Sequence, residues 1–224
     1  MDLKAVRMAR KALRHPRRAI AVAGKIAVAR LPFLAAKERV YDTDFFVSHD
    51  AVQNPMYDRL ADALASSAGP TSAVDVGCGT GRIIARLAER GVDVRGIEGS
   101  RHAIELSPVG DRIVRHNLEH GVPDLGRFDI ALCIEVAEHL PERSAEPLVL
   151  GLTRLSDRVV FTAATPGQGG THHVNEQPRD YWIELFEREG FAPSSLVAAL
   201  SESIADLDEP AWIKSNLMTF ERTG

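Results

Sequence analysis

A chain of 224 residues with 45% hydrophobic and 26% charged content has the size and composition of a globular domain that buries one core without metals or disulfides. Its two cysteines, Cys78 and Cys133, stand apart inside apolar stretches, which argues against a disulfide framework or a zinc cluster and fits a reducing, cytoplasmic setting. The net charge of −4 conceals a division: residues 1–30 carry nine Lys or Arg against the single acid Asp2, leaving −12 for the remainder, a balance that argues against a nucleic-acid-binding body.

In chain order, residues 1–50 read as a basic helical extension broken near Pro16, and residues 51–224 as the body. The apolar run 19–29 is interrupted by Gly24 and Lys25 and is too short to span a bilayer, which argues against export. As a helix it either caps the core in solvent or docks on a membrane surface or a partner. Residues 52–68 repeat Met56, Leu60, Ala63 and Leu64 at helical spacing, and Gly69-Pro70 stops them. Strand-like runs then alternate with helical ones: 73–76, 82–90, 92–97, 101–106, 112–115, 128–134, 144–155, 158–163 and 179–189. The stretches 195–199 and 217–221 complete the series as two further strands, an antiparallel pair at the end of the sheet. The alternation predicts an α/β fold, a doubly wound, mostly parallel sheet with helices on both faces.

The run Val74-Asp75-Val76-Gly77-Cys78-Gly79-Thr80-Gly81 leaves a strand and opens an amphipathic helix. Its glycines permit positive φ and close approach of a ligand to the backbone, and the G-x-G-x-G spacing departs from the dinucleotide fingerprint. The next strand ends at Ile97-Glu98-Gly99, which places a carboxylate where both hydroxyls of a ribose reach it. Asn117 at the tip of the third strand meets an adenine edge, and Leu118 its face. Backbone N–H groups near the first helix suit a carboxylate, and Asp75 an amino group.

These residues resemble the class I S-adenosylmethionine-dependent methyltransferases over roughly residues 52–222. The resemblance implies a Rossmann-like seven-stranded sheet with an antiparallel last strand, and S-adenosyl-L-methionine as cofactor. It assigns cofactor contacts to Asp75, Gly77, Cys78, Gly79, Gly81, Glu98, Gly99, Asn117, Leu118 and Ile134. Many family members carry Asp at the adenine position, where this chain has Asn117.

A methyl group leaves the sulfonium by in-line displacement, so the protein must align the acceptor and, for a hydroxyl, remove its proton. The fourth strand ends at Glu135-Val136-Ala137-Glu138-His139, and a helical continuation puts Glu135, Glu138 and His139 on one face. The glycine-rich loop 165–177 carries His172 and His173, the composition of an active-site lid with a base near neutral pH. His172, His173 and His139 are therefore the candidate catalytic residues. The His-Val-Asn-Glu-Gln run resembles a methyltransferase subgroup acting on sugars and other hydroxylated small molecules. Glu135, Glu138, His139 and His173 resemble the Glu-x-x-Glu-His plus distal His set of small-RNA terminal 2'-O-methyltransferases, with related metal use in quinone-pathway O-methyltransferases. That likeness implies a divalent metal, Mg or similar, while a histidine base without metal is the parallel reading.

The expected activity is O-methylation of a small-molecule hydroxyl acceptor, such as a sugar or secondary-metabolite scaffold. An RNA 2'-O-methyltransferase and a non-catalytic S-adenosylmethionine-binding subunit are the alternatives, and oligomeric state is open, a dimer included. Phe45, Phe46, Met56 and Tyr57 read first as core and second as an acceptor-pocket lining. Trp212 is placed as a cover from the last loop, and His49, His102, His116 and His120 as surface or satisfied histidines.

Overall fold

A computed structural model describes residues 42–208 and 211–224; residues 1–41 of the expected basic extension, with the helix expected to cap the core or dock on a surface, fall outside the described residues. Helix α1, Thr43–Ser67, starts nine residues before position 52. Asp42 caps it, its carboxylate accepting the Phe45 N–H at 2.9 Å, and the helix runs through Pro55. The cap is a side-chain effect that apolar spacing does not report.

Seven strands form one sheet: β1 (Ser72–Val76), β2 (Asp93–Glu98), β3 (Ile113–Arg115), β4 (Ile130–Cys133), β5 (Arg158–Phe161), β6 (Phe191–Pro193) and β7 (Met218–Arg222). Their order is β3-β2-β1-β4-β5-β7-β6. The first five neighbours pair in parallel, and β7 pairs antiparallel with both β5 and β6. Period-two alternation feeds two cores, because both faces are covered. Val74, Val76, Ala131, Cys133, Val159 and Phe161 point to one apolar cluster, while Ala73, Ile130, Leu132 and Val160 point to the other. The Asp129 carboxylate fixes the start of β1 by accepting Thr71 N, Thr71 Oγ1 and Ser72 N.

The connecting helices are α2 (Arg82–Glu89), α3 (Arg101–Leu106), α4 (Ala145–Leu155), α5 (Arg179–Arg188), α6 (Leu196–Ser203) and α7 (Ala211–Asn216). Bidentate pairs from Arg82 to Asp58 and from Arg86 to Asp62 tie α2 to α1. The expected strand at 195–199 is instead α6. Leu196, Val197, Leu200 and Ile204 recur at helical spacing and pack into one cluster, and the Thr219 hydroxyl accepts the Val197 N–H at 3.0 Å. A five-residue apolar run fits either period, and tertiary packing decided it. The strand that pairs with β7 comes just earlier, at Phe191–Pro193. Among the described residues, no helix is long and apolar enough to cross a membrane.

Candidate active site

Order β3-β2-β1-β4 reverses direction at β1, and ligands of open parallel sheets bind beyond the carboxyl ends of the strands at such a switch point. A cavity of about 250 Å³ lies there, walled by the turns that follow β1, β2, β3 and β4. Asp75, Gly77, Cys78, Gly79, Glu98, Gly99, Asn117, Leu118 and Ile134 all line it. Gly81 does not. It holds φ 75° as the residue before α2, with Ser107 and Val109 side chains against its α-carbon, so its glycine serves the turn into the helix.

The turn after β1 is built from backbone bonds. Gly77 and Cys78 both donate to the Ile97 carbonyl, at 2.7 and 3.1 Å. The Glu98 carboxylate then takes the Gly79 N–H at 2.8 Å and the Ser100 N–H at 2.7 Å, which fixes its direction at the cavity wall. At Gly77, φ is 80° and an added Cβ would stand 2.5 and 2.8 Å from the two Val136 methyls. Gly77→Ala is therefore expected to cost roughly 2–3 kcal/mol in urea unfolding, from positive φ plus overpacking. Adding Val136→Ala should restore only the steric part; full restoration by the second change would refute the backbone contribution.

Asp75 is fully buried at the floor of the cavity. Desolvation, and then the Glu98 charge, push its carboxyl up to about 7. Asn117 is oriented by its own turn, its Oδ1 accepting Glu119 N–H at 3.1 Å. Phe45, Phe46 and Tyr57 also line the cavity, brought there by α1, whereas Met56 is core at 0% exposure. Sequence reasoning missed Arg115 and His116, which precede Asn117 on the cavity wall; their position at the tip of the third strand was the available signal. His116 Nε2 lies 3.0 Å from the Gly121 carbonyl. Trp212 does not line the cavity.

Past β4 the chain does not continue as an α-helix. Glu135 takes φ 56°, its N–H bonded to Thr162 Oγ1 at 2.8 Å, and a single 3₁₀ turn follows at Ala137–His139. The shared helical face expected for Glu135, Glu138 and His139 is therefore absent. Glu138, His139 and His173 instead gather so that one ligand atom from each lies within 4.8 Å of the others, and Glu135 stays outside that group while lining the cavity with His139. The His139 and His173 rings are 5.0 Å apart in an edge-to-face pair.

Glu138 is 0% exposed, and neither of its carboxylate oxygens makes a hydrogen bond of good geometry, although the Glu135 carboxyl and the Ala164 backbone stand close enough to perturb it. Burial, followed by the neighbouring Glu135 charge, raises its pKa well above the carboxylate range. Burial also raises Glu135, against the opposing pull of Thr162, Asn216 and His173.

The loop after β5 is held in place by hydrogen bonds at both of its ends. Val174 and Asn175 donate to the Glu138 carbonyl at 2.8 and 3.1 Å. Glu176 accepts Gly167 and Gly169 N–H groups and meets His173 Nδ1 at 3.1 Å. Gly170 leaves room for the His173 ring, since a Cβ there would sit 2.3 Å from Nε2. His172 adopts φ 58° and, like His173, does not line the cavity. Of the three candidate catalytic histidines, His139 is the one on the cavity wall.

A family model described as a methyltransferase domain matches residues 74–155, from β1 to the end of α4. The ubiquinone biosynthesis O-methyltransferase of Pseudomonas paraeruginosa is 28% identical over 172 residues, covering 72% of this chain and 68% of that protein. Its Chromobacterium violaceum counterpart is 33% identical over 115 residues, and there the chain spans about half the relative, 45% and 46% of the two lengths. The fold is shared with a TehB-like S-adenosylmethionine-dependent methyltransferase from Corynebacterium glutamicum, at TM-score 0.53 and 23% identity over 75% of this chain and 88% of that one. It is shared too with magnesium protoporphyrin IX methyltransferase from Synechocystis with bound S-adenosylhomocysteine, at TM-score 0.57 and 16% identity over 87% and 89%. The matched methyltransferase domain spans the glycine turn, and the fold around it is the one shared with S-adenosylmethionine-dependent methyltransferases.

Proposed function

We propose that the chain transfers the methyl of S-adenosylmethionine to a hydroxyl of a small molecule, with a divalent cation held by Glu138, His139 and His173. The buried, unpartnered Glu138 carboxylate carries this reading. A group so placed is costly to bury without a counter-charge, and two imidazoles stand within ligand distance of it. One carboxylate and two imidazoles fit Mn, Fe or a later metal better than Mg. Glu176, bonded to His173 Nδ1 on the ring's far side from the cation, supplies the carboxylate that orients a metal-bound imidazole. When bound, the cation supplies Lewis acidity toward an acceptor oxygen.

The chain's own residues do the rest. Glu98 and Asn117 hold ribose and adenine, Asp75 and the Gly77–Gly79 backbone hold the amino-acid end, and Phe45, Phe46 and Tyr57 exclude water from the transfer zone. The acceptor oxygen forms its bond to the methyl carbon as the carbon–sulfur bond breaks, leaving neutral S-adenosylhomocysteine. The hydroxyl proton passes to the Glu135 carboxylate, which lines the cavity outside the group of cation ligands. The names of the two relatives support O-methylation, and the acidic body favours a small acceptor over RNA.

The test is methyl transfer to catechol, simple phenols and sugars, with RNA as a further arm. Transfer to a small hydroxyl, abolished by EDTA and restored by Mn²⁺, is expected. Transfer to RNA alone overturns the small-acceptor reading, and indifference to EDTA overturns the cation.

Asp75 gives the cofactor step a pH dependence. Its proton must leave before it can face an ammonium, so S-adenosylhomocysteine affinity should fall about tenfold per pH unit below 7 and level off above. Calorimetry from pH 5.5 to 8.5 reads the slope. Asp75→Asn should be weak and flat, and a sloping variant would remove Asp75 as the cause.

A further inference from the structure

Asn216 ends α7 immediately before β7, and its side chain is fully buried. Its Nδ2 donates to Glu135 Oε1 at 3.3 Å and to Gln168 Oε1 at 3.0 Å. Both partners present oxygens, so an amide nitrogen with two N–H groups is what the place requires. Its Oδ1 faces the Ser215 hydroxyl at 3.5 Å. Arg179 grips the backbone on either side, donating to the Ser215 carbonyl at 2.8 Å and the Leu217 carbonyl at 3.1 Å. Gln168 in turn accepts the Thr165 N–H at 3.4 Å within its own loop. One anchored amide thus joins the turn after β4 to the loop after β5.

We propose that Asn216 is a positioning residue: it sets the Glu135 carboxylate at the cavity wall and holds the loop 165–177 where that loop delivers His173 to Glu138 and His139. The inference deepens the proposed O-methyl transfer and rests on it for the turnover readout alone. Two physical facts support it. Glu135 sits at positive φ, so its backbone has a competing relaxed state. The loop carries three glycines, Gln168 and Thr171 at 167–171, so its placement depends on a few anchors rather than on packing.

The experiment compares wild type, Asn216→Leu and Gln168→Ala by three readouts. Thermolysin cuts ahead of exposed apolar residues, and Val174 is 63% exposed in the loop. In Asn216→Leu, cleavage at Val174 should rise roughly five- to thirty-fold. Turnover on catechol should fall roughly ten- to a hundred-fold, and S-adenosylhomocysteine affinity should stay within about twofold. Gln168→Ala removes the loop tie alone and should match the cleavage with a smaller loss of turnover. It also carries the test if Asn216→Leu does not fold. Unchanged cleavage in the folded variants, or cofactor binding lost in step with turnover, overturns the proposal. A wild type that methylates no hydroxyl removes the proposed function instead, and leaves cleavage and cofactor binding to judge the positioning role.

Discussion

Glu98→Ala is expected to weaken S-adenosylhomocysteine binding by roughly a hundred- to ten-thousand-fold. Two charge-assisted hydrogen bonds from ribose hydroxyls contribute about 1.5–3 kcal/mol each, and about 1.4 kcal/mol is tenfold in affinity. A carboxylate offers about four acceptor positions, so the Gly79 and Ser100 N–H bonds and two ribose bonds are compatible. The substitution removes the internal pair as well, so the turn after β1 loses its reference point along with the ligand. Glu98→Gln, which keeps the shape but accepts through one oxygen only, should fall between. Calorimetry at pH 8 separates this from Asp75 titration, and a dissociation constant within threefold of wild type would remove Glu98 from the cofactor site.

Glu138→Met is expected to cut turnover by at least about a hundredfold while raising the melting temperature by roughly 4 °C. Methionine has similar length and no polar atoms, so it relieves a carboxylate buried without partners. The gain should depend on pH. In cation-free protein, burial holds the Glu138 proton on above the usual carboxylate range, so in that window the folded chain binds a proton that the unfolded chain releases. Wild-type stability from this group is then lost as pH rises above the unfolded value. The variant escapes that loss, and its advantage should widen from pH 5 to pH 8 by scanning calorimetry. Lower stability at every pH would show that Glu138 is satisfied in the folded protein.

What the sequence made legible follows from range. The glycine turn and Glu98 are read within one βαβ unit, where short-range spacing fixes geometry, and their places beside the cavity are found where spacing put them. Gly81 shows the limit: a glycine inside a motif serves either ligand or backbone, and only its left-handed φ and crowded α-carbon tell which. The Glu135–His139 segment was expected as a helix because i, i+3 and i+4 spacing suits one. Positive φ at Glu135, which spacing does not encode, sent Glu138 inward and left Glu135 at the wall. His173 joins Glu138 across 35 residues because Glu176 and the Glu138 carbonyl fold the loop back. Asn216 carried no signal at all, since its place depends on β7 entering the sheet between β5 and β6.

That late insertion bears on how the molecule is made. As a chain emerges from the ribosome, β1 to β5 can pair in parallel as their crossover helices form, but β6 finds its only described neighbour in β7. Until residues 218–222 arrive, β5 presents an open edge of Arg158–Phe161, and such edges invite pairing with other chains. Nascent chains stopped before residue 217 should therefore be caught by holding chaperones or self-associate, although they already contain the whole glycine turn.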